Sequence, residues 1–297
     1  MEKLKLNCDK SLSKNIPLLD LSTECKAGVG LRSNHFAYLE ENPPREVKWF
    51  EAVSENYMDS WGKPRKFLQF LRRDFPIALH GVGMSLASAH GLKDNYLSSL
   101  KTLVDEIEPF IVSDHLCWTG TKRENSHDLL PFPLTEESLT VVVNNIDYAQ
   151  NFLQREILVE NISTYMRFEL SEMSEQDFLL EISKRSGAKI LLDLNNVYVN
   201  SINHGFDAKA FVASLPLSLI GQIHLAGYSD FGDYLFDTHS KPVWPEVWKL
   251  FFEVMRRKSD IPFMIEWDED IPSFPELEQE LKKAKEIWKV AGCYEGL

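Results

Sequence analysis

Eight side chains able to hold metal ions or move protons recur along the sequence in one shared context: most of them close a short apolar run. His80 closes Ile77–His80 ahead of Gly-Val-Gly, Phe110–Ser113 runs into Asp114-His115, and Ile157–Glu160 ends in Glu160-Asn161. Ile190–Leu194 carries Asp193 with Asn195 and Asn196 behind it, Gln222–Leu225 carries His224, and Pro262–Trp267 carries Glu266 ahead of Asp268. Between the last two lies Asp237-Thr238-His239, whose i, i+2 spacing aims both side chains to one side of an extended segment. His80, His115, Glu160, Asp193, His224, Asp237, His239 and Glu266 are therefore the candidate metal ligands, with Asp237, His239 and Glu266 also the candidate catalytic residues. Four carboxylates brought together would repel, and protonation or bound cations relieve that repulsion. A mixed imidazole and carboxylate set suits iron, manganese or zinc better than calcium or magnesium, and the set contains no thiolate. Eight donors exceed the need of one ion; two or three ions sharing carboxylates would use them all.

One histidine at a strand end is ordinarily a hydrogen-bonded structural residue, so the weight rests on six successive runs delivering ligand-type residues at the same end. Asn196, His204, Glu55, Asn56, Asp114 and Asp268 are weaker candidates, as ligands or as groups that orient ligands. His204 in Asn203-His204-Gly205 reads equally as a turn residue, and so do Glu55-Asn56, Asn195 and Asn196. His35, His90 and His127 read as loop or surface residues.

Bringing these residues to one place requires elements that end on one side. With Gly28–Leu31 and Val47–Ser54 the apolar runs number eight, and helical patterns separate most of them: Pro64–Arg73, Lys93–Glu108, Glu136–Gln154 and Glu175–Arg185 behind Ser174, with later ones starting at Asp207, Pro245 and Pro275. Eight such units in 297 residues predict an α/β fold of the (β/α)8 TIM-barrel type, whose active site forms at the C-terminal ends of the strands. A doubly wound sheet would usually show a Gly-rich phosphate turn, and Gly28-Val29-Gly30 is only a lone GxG. Residues 1–26 read as an N-terminal arm and 27–297 as one barrel domain, with no repeat or dividing linker. The 32 Lys and Arg against 45 Asp and Glu give a net charge of −13, which disfavours a nonspecific nucleic-acid binder. No apolar run has membrane-spanning length and Met-Glu-Lys-Leu-Lys-Leu lacks a secretion-signal core, so the expectation is a soluble cytoplasmic protein without membrane partners. Cys8, Cys25, Cys117 and Cys293 have no CxxC spacing and read as reduced structural residues. No GxSxG, HExxH, P-loop or EF-hand pattern occurs.

Several blocks carry a resemblance: Gly-Val-Gly-Leu-Arg at 28–32, Ser-Glu-Asn-Tyr at 54–57, Leu-His-Gly-Val-Gly-Met-Ser-Leu at 79–86 and Ser-Asp-His-Leu-Cys-Trp at 113–118. Leu-Leu-Pro-Phe-Pro at 129–133, Val-Glu-Asn-Ile-Ser at 159–163, Leu-Leu-Asp-Leu-Asn-Asn-Val-Tyr-Val-Asn at 191–200 and Asn-His-Gly-Phe-Asp at 203–207 continue it, as do Ile-His-Leu-Ala-Gly at 223–227, Asp-Thr-His-Ser at 237–240 and Ile-Glu-Trp-Asp at 265–268. Collinear over about residues 27–270, the series resembles the multinuclear non-haem iron-dependent oxidases related to methanobactin and bufferin maturation enzymes. The resemblance implies a xylose-isomerase-like barrel holding two or three iron ions, in a mixed-valence state, with dioxygen as co-substrate. It implies modification of cysteines in a ribosomally made precursor peptide, with a separate partner protein presenting that peptide. The eight candidate ligands fall in the family's ligand-bearing motifs, and Asn196 and His204 also lie in its blocks. Three rival readings stand beside it: a divalent-metal sugar isomerase or epimerase on the same barrel, a metal-dependent phosphodiesterase, and a metal- or peptide-binding scaffold without turnover.

Overall fold

The computed structural model describes residues 26–121 and 125–294. All eight apolar runs are strands: β1 (Ala27–Gly30), β2 (Trp49–Val53), β3 (Ile77–Gly81), β4 (Ile111–His115), β5 (Leu158–Glu160), β6 (Lys189–Asp193), β7 (Ile220–Leu225) and β8 (Phe263–Ile265). They pair in parallel and in chain order, and β8 pairs back to β1 through Ala27 and Phe263, which closes a barrel. The expected N-terminal arm, with Cys8 and Cys25, lies outside the described residues except for Lys26, whose Nζ donates to the Asp260 carbonyl at 2.6 Å. Of the described cysteines, Cys117 is buried and Cys293 exposed, and both are free.

The barrel is covered by α1 (Phe36–Glu41), α2 (Glu55–Met58), α3 (Lys63–Arg72), α4 (Asp94–Ile107), α5 (Glu136–Leu153), α6 (Glu175–Ser186), α7 (Leu194–His204), α8 (Ala208–Ser214), α9 (Pro245–Met255) and α10 (Phe274–Gly292). Local chemistry sets their ends. Thr135 and Ser174 accept from backbone amides three residues on, and Gly187 and Gly205 take φ of 75° and 73° to terminate α6 and α7. Among the described residues no helix is long and apolar enough to cross a membrane.

Helix α7 departs from expectation, because Asn195-Asn196 near its start and Asn203-His204-Gly205 at its end read as turns. Asp193 ends β6 and caps α7 at once: its Oδ1 accepts from the Asn196 amide at 2.6 Å, so the chain passes from strand to helix without a loop. Two small antiparallel ribbons were likewise not anticipated, Trp118–Gly120 with Asn125–Leu130 and Ser229–Asp230 with Leu235–Phe236.

Alternation along the strands divides the barrel interior into two tiers. Trp49, Ala78, Ile111, Leu158, Leu191 and Met264 pack together as an apolar floor, none more than 8% exposed. Two positions further along the same strands stand Glu51, His80, Ser113, Glu160, Asp193 and Glu266, all buried. The intervening residues, such as Phe50, Leu79, Val112 and Leu192, face outward into the main core under the helices.

Gly227, just past β7, lets the chain leading out of His239 pass close by: a Cβ there would land on the carbonyl oxygens of Lys241 and Pro242. Gly227→Ala should therefore cost about 3 kcal/mol, read as a shift in the denaturant midpoint; a loss below about 1 kcal/mol would contradict this packing.

Candidate metal centre

The tier above the floor is built from strand ends. His80, on β3, points Nε2 at Glu160 Oε2 (3.0 Å), and its Nδ1 lies 2.8 Å from Ser113 Oγ. His115 closes β4 with Nε2 3.4 Å from the same Glu160 oxygen and Nδ1 2.9 Å from the Gly81 carbonyl. In each histidine one nitrogen is anchored by a neighbour and the other is aimed at the centre, which fixes ring orientation. The other Glu160 oxygen lies 3.5 Å from His224 Nδ1, which is 3.0 Å from Glu266 Oε2. His239 Nδ1 approaches Glu266 Oε2 at 3.3 Å and Asp268 Oδ2 at 3.4 Å, while its Nε2 is 2.6 Å from Asp237 Oδ1.

Three overlapping groups of donors result: His80, His115 and Glu160; Glu160, Asp193, His224 and Glu266; and His239, Glu266 and Asp268. Glu160 and Glu266 each belong to two groups, the placement expected of carboxylates that bridge neighbouring ions. Although the donors stand within ion-pair distance of one another, Glu160 Oε2, Asp193 Oδ2, His224 Nδ1 and His239 Nε2 are buried and lack a hydrogen bond of good geometry. Buried polar atoms are rarely left so, and a bound cation would supply the missing partner. The set therefore fits metal, and its nitrogen and oxygen composition fits iron, manganese or zinc.

Electrostatics agree. Burial alone would raise the Glu160 carboxyl, yet His115, His224 and His80 together hold it well below the usual carboxylate range. Burial would lower His80, but the Glu160 charge lifts it to about 9. Asp193 goes the other way: burial pushes it well above its ordinary value, although His239 opposes this. A negative site with too little positive charge of its own is what a metal would neutralise.

His239 reaches this geometry at φ 46°, a left-handed conformation costly for a residue with a Cβ, and strain of this kind persists where surroundings over-determine a functional position. Asp237 does not enter the three groups; it accepts from Asn195 Nδ2 at 2.6 Å and contacts the centre through His239.

The weaker candidates separate. Asp268 joins the centre and is bound by Arg32 Nε at 3.0 Å. Asn196 is buried in the first turn of α7 and does not enter the donor groups; its Nδ2 lies on the Asn161 carbonyl at 3.1 Å and its Oδ1 lacks a hydrogen bond. Glu55 and Asp114 are not brought to the centre: alternation turns Asp114 outward between Ser113 and His115, where both carboxylates accept from Tyr96 Oη, at 2.6 and 3.2 Å. They also accept from the Val82 and Met84 amides, so they brace the loop that follows His80. Asn56 is exposed on α2. His204 lies elsewhere too, at the end of α7, with Nε2 2.8 Å from Thr164 Oγ1. His90 and His127 are exposed, but His35 is buried against the Pro272 carbonyl (2.9 Å) and is no surface residue.

Sequence reasoning missed Glu51, Gln222 and Arg32 as parts of the site. Glu51 Oε1 is 3.0 Å from His224 Nε2, and its Oε2 accepts from Gln222 Nε2 at 2.5 Å. The available signal was a single carboxylate inside the apolar run Trp-Phe-Glu-Ala-Val.

His204 belongs to the wall of a separate cavity of about 580 Å³ between the loops that follow β4 and β5. Glu175 lines that cavity, and burial pushes its carboxyl up to about 7. A carboxyl raised in the native state binds protons better there than in the unfolded chain. Its stabilising contribution is thus present at low pH and lost as pH rises from the ordinary carboxylate range through 7. Glu175→Gln should accordingly stabilise the chain by about 1–2 kcal/mol at pH 8, after allowance for solvent screening, and leave it unchanged at pH 4. Melting temperatures of both proteins at the two pH values check this; an equal shift at both would refute it.

A closed parallel barrel with imidazole and carboxylate donors at the C-terminal ends of its strands defines a xylose-isomerase-like TIM barrel with a metal-type centre. Its structural neighbours have this fold. It superposes on a xylose isomerase domain containing protein from Salmonella typhimurium with a TM-score of 0.62 at 13% identity, covering 90% of this chain and 98% of that one. D-psicose 3-epimerase gives 0.51 at 10% identity, covering 91% and 97%. Within that class, the chain belongs to the family of RiPP precursor modification enzymes MbnB/TglH/ChrH, whose model matches residues 26–289. Similar proteins include a UPF0276 protein of Anaeromyxobacter sp. strain Fw109-5, 49% identical over 261 residues (88% of this chain, 92% of the relative). A UPF0276 protein of Caulobacter vibrioides is 46% identical over 262 residues (88% and 93%).

Proposed function

We propose that the protein is an iron- and dioxygen-dependent oxidase that modifies cysteine residues of a ribosomally made precursor peptide. The observation that carries this reading is the chain of overlapping donor groups linked by Glu160 and Glu266, which calls for more than one ion. Membership of a precursor-modifying family supports the substrate class. His80, His115, Glu160, Asp193, His224, His239 and Glu266 would hold the ions, with Asp268 and Asp237 completing the outer end. Iron bound there would supply one-electron chemistry with dioxygen and an acceptor for a cysteine thiolate.

The protein's own residues do the rest. Ser113 and the Gly81 carbonyl fix the rings of His80 and His115; Glu51 does so for His224. Arg32 holds Asp268 against the mouth and lies 3.6 Å from Glu266 Oε1, which offsets negative charge there. A separate partner protein presenting the peptide belongs to the same proposal, as does a cytoplasmic location. The sugar epimerases among the structural neighbours share the fold alone at these identities.

The test is elemental analysis of protein made with ample iron and purified without oxygen, followed by mass spectrometry of cysteine peptides exposed to it with dioxygen. Two or more irons per chain and an oxygen-dependent mass change at cysteine are expected. One manganese, magnesium or cobalt with little iron and no oxygen requirement would overturn the reading in favour of an isomerase.

A further inference from the structure

The cavity beside β4 and β5 takes no part in the metal centre, yet it lies next to it. Leu116 and Ile162 in its wall stand one and two positions beyond His115 and Glu160, so part of that wall lies within roughly 4–8 Å of the donors along the chain. Most of its wall is apolar, with Leu116, Phe132, Ile162, Met173, Phe206 and Phe211 contributing.

Its charged groups define what can enter. Asp207 is already engaged as the cap of α8, accepting from the Lys209 and Ala210 amides at 2.8 and 3.2 Å. Arg167 is exposed and donates to the His204 carbonyl at 2.7 Å. Glu175, in the first turn of α6, is met by the Asn200 side chain but has no Lys or Arg within ion-pairing distance among the described residues. An acidic occupant would be repelled by Glu175. A purely apolar occupant would strip water from that carboxylate and offer nothing in return. A long aliphatic stem with a cationic head satisfies both the wall and the carboxylate.

We propose that this cavity is a specificity subsite that receives a lysine or arginine side chain of the peptide substrate, its stem against the apolar wall and its head on Glu175. The proposal rests on the peptide-modifying reading. At about 3.3 Å per extended residue, the basic residue falls within roughly three positions of the cysteine seated at the metal centre.

Two measurements test it. Isothermal titration of the full metal-loaded chain at pH 8 with n-hexylamine and with 1-hexanol should show the amine binding at least about tenfold more tightly, and Glu175→Gln should abolish that preference. Metal content and circular dichroism confirm that the variant is intact. Equal affinities, or a preference that survives the substitution, overturn the proposal. In the second measurement, seven-residue peptides with a central cysteine carry lysine or norleucine at each other position in turn. Lysine should raise kcat/KM at least about tenfold at one or two positions, and Glu175→Gln should remove the gain. Modification indifferent to lysine overturns the subsite while the oxidase reading stands. If no cysteine peptide reacts, the oxidase reading and the substrate assignment fail together, and the amine titration alone still decides whether the cavity binds a cation.

Discussion

Glu160→Ala should strip the centre of metal and lower turnover by more than about a hundredfold, the upper range for losing a group that merely supports a ligand. The reason is its shared position. One oxygen faces His80 and His115, the other faces His224, and among the described residues no other carboxylate belongs to both of these donor groups. The barrel should remain folded, because the apolar floor beneath Glu160 and the outward core do not use its charge. Elemental analysis, turnover and circular dichroism on the same preparation check all three statements. Full metal occupancy with full turnover would remove Glu160 from the ligand set.

Glu51→Gln should weaken metal binding or turnover by about 10–100-fold without altering any donor. Glu51 is placed to hold the His224 ring through Nε2, leaving Nδ1 for the centre, and its second oxygen is tied to Gln222. Glutamine keeps the size and one acceptor but loses the charge that favours a proton on that Nε2. A competition titration against a chelator measures the change in affinity, and an affinity equal to that of the unaltered protein would show that the contact is only packing.

The fold was legible because alternating strand and helix patterns survive in single residues: each barrel strand is a short apolar run, and helix starts such as Thr135, Ser174 and Asp207 carry their own capping chemistry. Donors at strand ends were legible for the same reason. Helix α7 was not, since its asparagines serve tertiary contacts that local preference does not reveal: Asn200 Nδ2 reaches the Ile162 carbonyl at 2.9 Å, and Asn196 reaches Asn161. Glu51 was hidden inside a strand, where direction into or out of the barrel depends on register. Glu55 and Asp114 looked like site residues by sequence proximity, but strand alternation turns Asp114 outward and Glu55 lies past β2 on α2, where both meet Tyr96.

The apolar floor has a consequence for traffic. With Trp49, Ala78, Leu191 and Met264 wholly shielded, the packed floor lies between the donors and the N-terminal ends of the strands, which leaves the strand-end side as the way in among the described residues. On the proposed reading, a peptide that seats its cysteine above this floor would also cork that way in. Small reactants then share a doorway with the large one, and the sequence of arrivals becomes a property of the shape itself.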